Sequence, residues 1–267
     1  MFWALKLKNR FYAAITASLA IICAVYIGYA TSISAHLCNN REISEFNIVR
    51  EVNANEDDLS EKVVYLTFDD GPSAVTEQVL DVLLKEDVCA SFFVMGDKCH
   101  EKYLPLLSRT IAQGNLVALH SFAHEYSQIY KSDKAFWEDI SALRVKLEPY
   151  VDDIPNILRF PGGSTNTVSR KYGGREIMNV LKQEATDNGY KYVDWNVCAN
   201  DAVGGHPSAK QIFNTVTKQS EGISTCVVLF HDTNNTKTTA EALPDIIKYF
   251  KDKGYRFDTV DHLDKQI

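Results

Sequence analysis

The run VVYLTFDDGP at residues 63–72 decides the fold. Its first six residues are β-branched, aromatic or aliphatic with almost no polar interruption, which suits a strand buried on both faces of a parallel sheet. Asp69 and Asp70 then put two carboxylates at the strand's end, and Gly71-Pro72 turns the chain. Working outward, similar β-rich runs recur at 90–95 (ASFFVM), 116–120 (LVALH), 157–160 (ILRF), 192–197 (YVDWNV), 227–231 (VVLFH) and 255–260 (YRFDTV). Between them lie segments with helical spacing, among them 76–87, 135–150 and 209–220. Strand–helix alternation of this kind predicts an α/β fold, a small distorted (β/α) barrel over residues 62–267 rather than two domains.

The reactive side chains fall at one end of these strands. Asp69 and Asp70 close the first run, His120 the third and His231 the sixth; Arg159 lies in the fourth, and Asp201 follows the fifth. That is the face on which barrel enzymes build their sites. Adjacent carboxylates repel unless a cation or strong donors neutralise them, and neighbours on an extended chain point opposite ways. One can therefore bind a metal while the other accepts a proton; a turn-capping pair is the plain structural alternative.

In His120-Ser-Phe-Ala-His124 two imidazoles stand at i, i+4, the spacing that places both on one face of a helical turn and lets them reach one ion. With one carboxylate they form an Asp-His-His set with open positions, suited to zinc, with cobalt or a similar divalent ion as the alternative. A zinc protease would need Glu directly after the first histidine, where this chain has Ser121. His231 is placed to act as a general acid held by Asp201, Arg159 to orient a carboxylate, and the glycines at 162–163 to expose N–H groups to an oxyanion. Each also has a bland reading, as a backbone-bonded histidine or a salt bridge.

TFDDGP (67–72), HSFAH (120–124), RFPGG (159–163), WNVCAND (195–201) and LFH (229–231) together resemble the motifs of the polysaccharide deacetylase family, the NodB-homology domain, and most of all its Gram-positive peptidoglycan-deacetylase branch. The resemblance covers about residues 62–260. It implies a distorted (β/α)7 barrel, in keeping with the seven runs, with Asp69 as general base and Asp70, His120 and His124 as metal ligands. His231 would be the general acid assisted by Asp201, and Arg159 would position Asp69. The Gly162 N–H would stabilise the oxyanion, and Leu229 would line the acetyl pocket. Two departures stand out: Ala202 follows Asp201 where many relatives have Trp, and Cys198 replaces an Asp common three residues earlier.

Before this domain, Phe11–Ser34 contains no charged residue and is preceded by Lys6, Lys8 and Arg10. Roughly 20 apolar residues span a bilayer as a helix. The expectation is a single-pass anchor at 11–34 with residues 1–10 cytoplasmic, a polar spacer at 35–61 and an exported catalytic domain. A cleaved signal peptide, cut near Ser32–Ala35, is the alternative. The net charge of -7 argues against nucleic acid as a partner, and no protein partner is evident. None of the six cysteines forms a CxxC pair, so a zinc–thiolate site is not indicated, and any disulfide pairing stays open. The expected activity is metal-dependent removal of N-acetyl groups from a cell-wall glycan, peptidoglycan first. An O-acetyl esterase of the acetylxylan type and a non-catalytic glycan-binding module are the alternatives.

Overall fold

The computed structural model describes residues 61–264. The expected membrane helix, the cytoplasmic tail and all of the spacer but Glu61 lie outside the described residues, among which no helix is long and apolar enough to cross a membrane. The strands are β1 (Val63–Gly71), β2 (Ser91–Met95), β3 (Leu116–Ser121), β4 (Ile157–Leu158), β5 (Lys191–Tyr192), β6 (Val197–Cys198), β7 (Thr225–His231) and β8 (Arg256–Phe257). All pair in parallel in the order β5-β4-β3-β2-β1-β7-β6, with β8 beside the start of β1. Helices α1 (Ala74–Glu86), α2 (Leu106–Ala112), α3 (Tyr126–Ile129), α4 (Asp133–Leu147), α5 (Arg170–Gly173), α6 (Ile177–Asp187), α7 (Ala209–Gln219) and α8 (Lys237–Asp252) lie between them.

The two outermost strands of this order, β5 and β6, are chain neighbours. Flat, a sheet of seven strands would hold its ends about 29 Å apart at roughly 4.8 Å per pairing. The stretch from Tyr192 to Val197 reaches at most about 18 Å. The sheet must therefore curl, and it forms an incomplete barrel. Here the expected strand at 192–197 is corrected: it breaks into two short pieces that pair with opposite ends of the sheet. The Val193 N–H donates to Leu158 O at 3.0 Å, and the Asn196 N–H to Val227 O at 3.2 Å. The expected strand at 255–260 keeps two ladder residues and runs into a 3₁₀ turn at Val260–His262.

Side-chain alternation along β1 sorts the core into two layers. Val64, Leu66 and Phe68 point outward beneath the helices, where the Phe68 ring stacks on Phe92 and Phe230 with centroids 5.1 and 5.3 Å away. Val63 and Tyr65 point inward with Phe93, Ala118, Ile157, Val193 and Val227, and Val260 and Leu263 close the bottom. Continuing that inward row, Thr67 and Asp69 rise above the apolar floor. Register sets Asp69 opposite His231 on β7. An apolar floor under a polar mouth is thus written into the period-2 pattern of β1 and its neighbours.

Candidate active site

Arg159 sits at the centre of the mouth, fully buried. Its Nη1 donates to Asp69 Oδ1 and to Thr67 Oγ1, both at 2.8 Å, its Nε to Val193 O and its Nη2 to Asp194 O, both at 2.9 Å. The guanidinium lies between the rings of Phe93 and Trp195, 4.2 and 5.5 Å from their centroids. A buried guanidinium needs its charge matched and its donors used; this one faces the Asp69 carboxylate and has four of its five N–H groups bonded. Asp69 Oδ1 is consequently fixed, and Asp69 Oδ2 points toward His120 Nε2, 4.0 Å away.

Simple alternation would turn Asp70 away from Asp69. Instead the β1–β2 register slips between Asp69 and Gly71, and Asp70 takes a left-handed backbone with φ 67°. This bulge swings the carboxylate into the same mouth, where Oδ1 lies 3.3 Å from His120 Nε2 and 3.4 Å from His124 Nε2. The Asp70 carbonyl accepts from His100 Nε2 at 3.1 Å, and the other ring nitrogen of His100 meets the Asp97 carboxylate. Behind the turn, Gly71 has no room for a side chain: a Cβ there would fall 2.2 Å from Asp232 Oδ2.

The HSFAH segment is not the helical turn its spacing suggested. Ser121 ends β3, His124 has φ 52°, and α3 starts two residues later. Asp139 on α4 shapes this turn instead. Its carboxylate accepts from the Ser121 hydroxyl and the Phe122 N–H, both at 2.7 Å, and from the Ala123 N–H at 3.0 Å, while the His124 N–H donates to Ser121 Oγ at 2.8 Å. The two imidazole centroids end 5.0 Å apart. His120 Nδ1 donates to Arg159 O at 2.8 Å, which fixes its tautomer and leaves Nε2 toward Asp70.

The electrostatics follow. Burial alone would raise Asp70, but the close His120 imidazole, 3.3 Å away, and the charges of His120, His124 and His231 hold it well below the usual carboxylate range. Burial, joined by the charge of His120, pushes His124 down and so favours a neutral ring. Burial also opposes charging His120, yet Asp69 and Asp70 outweigh it and push that ring up. A proton shared at this spot is what a cation would displace.

Across the mouth, Asp201 grips His231 twice. Asp201 Oδ2 accepts from the His231 N–H at 2.7 Å, and Oδ1 meets Nδ1 at 2.8 Å. Thr239 on α8 donates to Oδ2 at 2.8 Å. His231 is pushed up to about 9: burial works against its charge, but the bond to Asp201 and the charges of Asp201, Asp69 and Asp70 prevail. Nδ1 being engaged, Nε2 is left for the mouth.

Gly162 lies exposed with φ +78°. The Gly163 N–H is spent on Phe160 O at 2.7 Å, whereas the Gly162 N–H joins no backbone bond among the described residues. Leu229 is buried beside Thr67 and Cys198 in the ladder. Ala202 is exposed, and Cys198 Sγ lies 3.2 Å from Asn200 Oδ1. The structure thus brings Asp69, Asp70, His120, His124 and Arg159 together and sets His231, held by Asp201, beside Asp69 on the next strand. Sequence reasoning missed the supports: Asp139, Asp232, and Asp194, which holds the glycine loop through the Ser164 N–H and hydroxyl at 2.9 and 2.5 Å. Nothing local marks them, since each acts on a segment far away in the chain.

Among the described residues, Asp70, His120 and His124 are the one set of three whose ligand atoms all lie within 4.8 Å of each other. Asp70 Oδ1 is buried without a hydrogen-bond partner, which is costly unless something else satisfies it. One hard carboxylate and two imidazoles are a donor set that suits a divalent cation, so the residues present fit a metal. Fold and site together define a class: a parallel α/β hydrolase with a carboxylate and a held imidazole facing each other across one mouth.

Comparison with known proteins makes the class particular. The family model described as polysaccharide deacetylase matches residues 56–185. A peptidoglycan-N-acetylglucosamine deacetylase of Bacillus cereus is 31% identical over 206 residues, covering 76% of this chain and 89% of that protein. A bifunctional xylanase/deacetylase of Pseudobutyrivibrio xylanivorans is 30% identical over 212 residues, 79% of this chain and 32% of the relative. Among solved structures, the catalytic domain of a peptidoglycan N-acetylglucosamine deacetylase from Eubacterium rectale superposes with a TM-score of 0.73 at 35% identity, over 80% of this chain and 94% of that one. The chain belongs to the polysaccharide deacetylase family of hydrolytic enzymes.

Proposed function

We propose that this protein removes N-acetyl groups from a cell-wall glycan, peptidoglycan first, with one divalent ion, zinc, held by Asp70, His120 and His124. The observation that carries the reading is the orphaned Asp70 Oδ1 between two imidazole nitrogens at 3.3 and 3.4 Å, facing a spare carboxylate and a held histidine. When bound, the ion would supply Lewis-acid activation of water and of the acetyl carbonyl. Asp69, its Oδ1 anchored by Arg159, takes a proton from the attacking water through Oδ2. The new C–O bond forms as the carbonyl becomes an oxyanion facing the Gly162 N–H. His231 Nε2 then gives its proton to the departing nitrogen, the C–N bond breaks, and acetate and a free sugar amine leave. Leu229 forms the apolar wall beside the acetyl methyl.

The names of the Bacillus and Eubacterium relatives support peptidoglycan as the substrate, and the bifunctional xylanase/deacetylase keeps the O-acetyl alternative in play. An uncharged segment at 11–34, outside the described residues, supports a membrane anchor that would hold the domain against the wall. The test is acetate release by the purified full chain from peptidoglycan, chitooligosaccharides and acetylated xylan, with and without chelator. Chelator-sensitive release from N-acetylated glycans is expected; release from acetylated xylan alone would overturn the amide reading.

A further inference from the structure

We propose that the Tyr126 hydroxyl is a second donor to the oxyanion, working beside the Gly162 N–H; the inference rests on the deacetylase reading above. Tyr126 opens α3 two residues past His124, and its ring meets the His124 ring edge-on with centroids 5.6 Å apart. On its other side it meets Tyr130 edge-on at 5.5 Å. These contacts hold the ring between His124 and Tyr130, with its hydroxyl end against the glycine loop. A Cβ built on Gly162 would lie 2.5 Å from the Tyr126 hydroxyl oxygen, so the hydroxyl abuts the residue whose N–H faces the reacting carbonyl.

The two neighbouring tyrosines differ in how they use their hydroxyls. Tyr130 is fully buried and donates to Pro161 O at 2.8 Å. Tyr126 is half-buried, and among the hydrogen bonds of the described residues its hydroxyl has no partner. A rigid aromatic stem that holds an uncommitted O–H next to an uncommitted N–H makes a pair of convergent donors, the geometry an oxyanion requires. Gly162 is needed for this arrangement in two ways: φ +78° suits glycine, and any larger residue would push the phenol away. A packing role is the competing account, in which the ring only fills the space over Gly162 and supports His124.

Tyr126→Phe keeps the ring and deletes the donor, so it separates these accounts. The experiment compares zinc-loaded full-length wild type and Tyr126→Phe for kcat and KM on chitooligosaccharide, for bound zinc, and for the affinity of acetate by calorimetry. The expected result is kcat lower by about 10- to 100-fold with KM within about twofold and zinc content unchanged. Acetate, whose carboxylate takes up the same donor, should bind about tenfold more weakly. Equal kcat and equal acetate affinity in an active pair would overturn the proposal alone. A kcat loss matched by lost zinc would overturn it in favour of the packing account. A wild type that releases no acetate from any glycan would overturn the deacetylase reading, and this inference with it.

Discussion

The two flanks of the mouth are built on opposite principles. On one side Asp70 and His124 sit in left-handed backbone at a strand bulge and a braced turn, and a buried carboxylate oxygen is left without a partner. On the other, His231 ends a regular strand, and both oxygens of Asp201 are filled by its N–H, its ring and Thr239. Strain and an unmet acceptor persist only where the surroundings enforce them, and they mark a place prepared to take something up. A saturated network marks a group whose own proton is to be held and released. The contrast lies in the two functional carboxylates themselves, Asp70 with an open oxygen and Asp201 with none, since left-handed backbone and an unmet acceptor also occur beside His231, at Asn200 and Asp232 Oδ1. It is the basis on which the proposal assigns ion binding to one flank and acid chemistry to the other.

Breaking the strained flank should cost most. Asp70→Ala, or His120→Ala, is expected to lower acetate release by about 10³-fold or more, since the several kcal/mol of charge stabilisation go with the ion; bound metal per chain should fall in parallel. On the saturated flank, His231→Ala is expected to cost about 10²- to 10³-fold in kcat while leaving metal content intact. A parallel loss of metal there would erase the distinction between the flanks. Asp139→Ala releases the turn that aims His124 and should weaken metal affinity by about 10- to 100-fold, as removal of outer supports does.

The pH response sharpens the comparison further. A histidine acting as an acid must carry its proton, and His231 is pushed up to about 9, so kcat/KM should hold below that value and fall as pH rises through it. Asp201→Asn removes the main upward influence. The alkaline limb should then move down toward the ordinary histidine value of about 6.5. A limb that stays in place would assign it to another group.

Much of this was legible in the sequence because it is local. The 63–72 run, the two imidazoles at and just beyond the end of β3 and the arginine directly after β4 are each set by short-range pattern, and Asp69 and His231 both close apolar runs. What escaped depends on contacts far apart in the chain. Asp139 closes the HSFAH turn from a helix 16 residues or more downstream, so the two imidazoles do come together, but not through the helical turn that their spacing suggested. Likewise, residues 192–197 read as one strand, because β propensity does not show that Asp194 and Trp195 leave the ladder to hold the glycine loop and cover Arg159. Tyr126 and Asp232 carried no signal at all; their contacts in the fold, with Gly162 and His124 for the one and with Gly71, Ser73 and Thr76 for the other, reveal them.

The central claim is that one ion, held by Asp70, His120 and His124, drives deacetylation. It is tested most directly by stripping the full-length protein with chelator and titrating zinc back while acetate release from an N-acetylated glycan is followed. The account predicts no release from the stripped protein, recovery that saturates at one ion per chain, and no recovery in His124→Ala. A stripped protein, verified free of metal, that retains its full rate would contradict it.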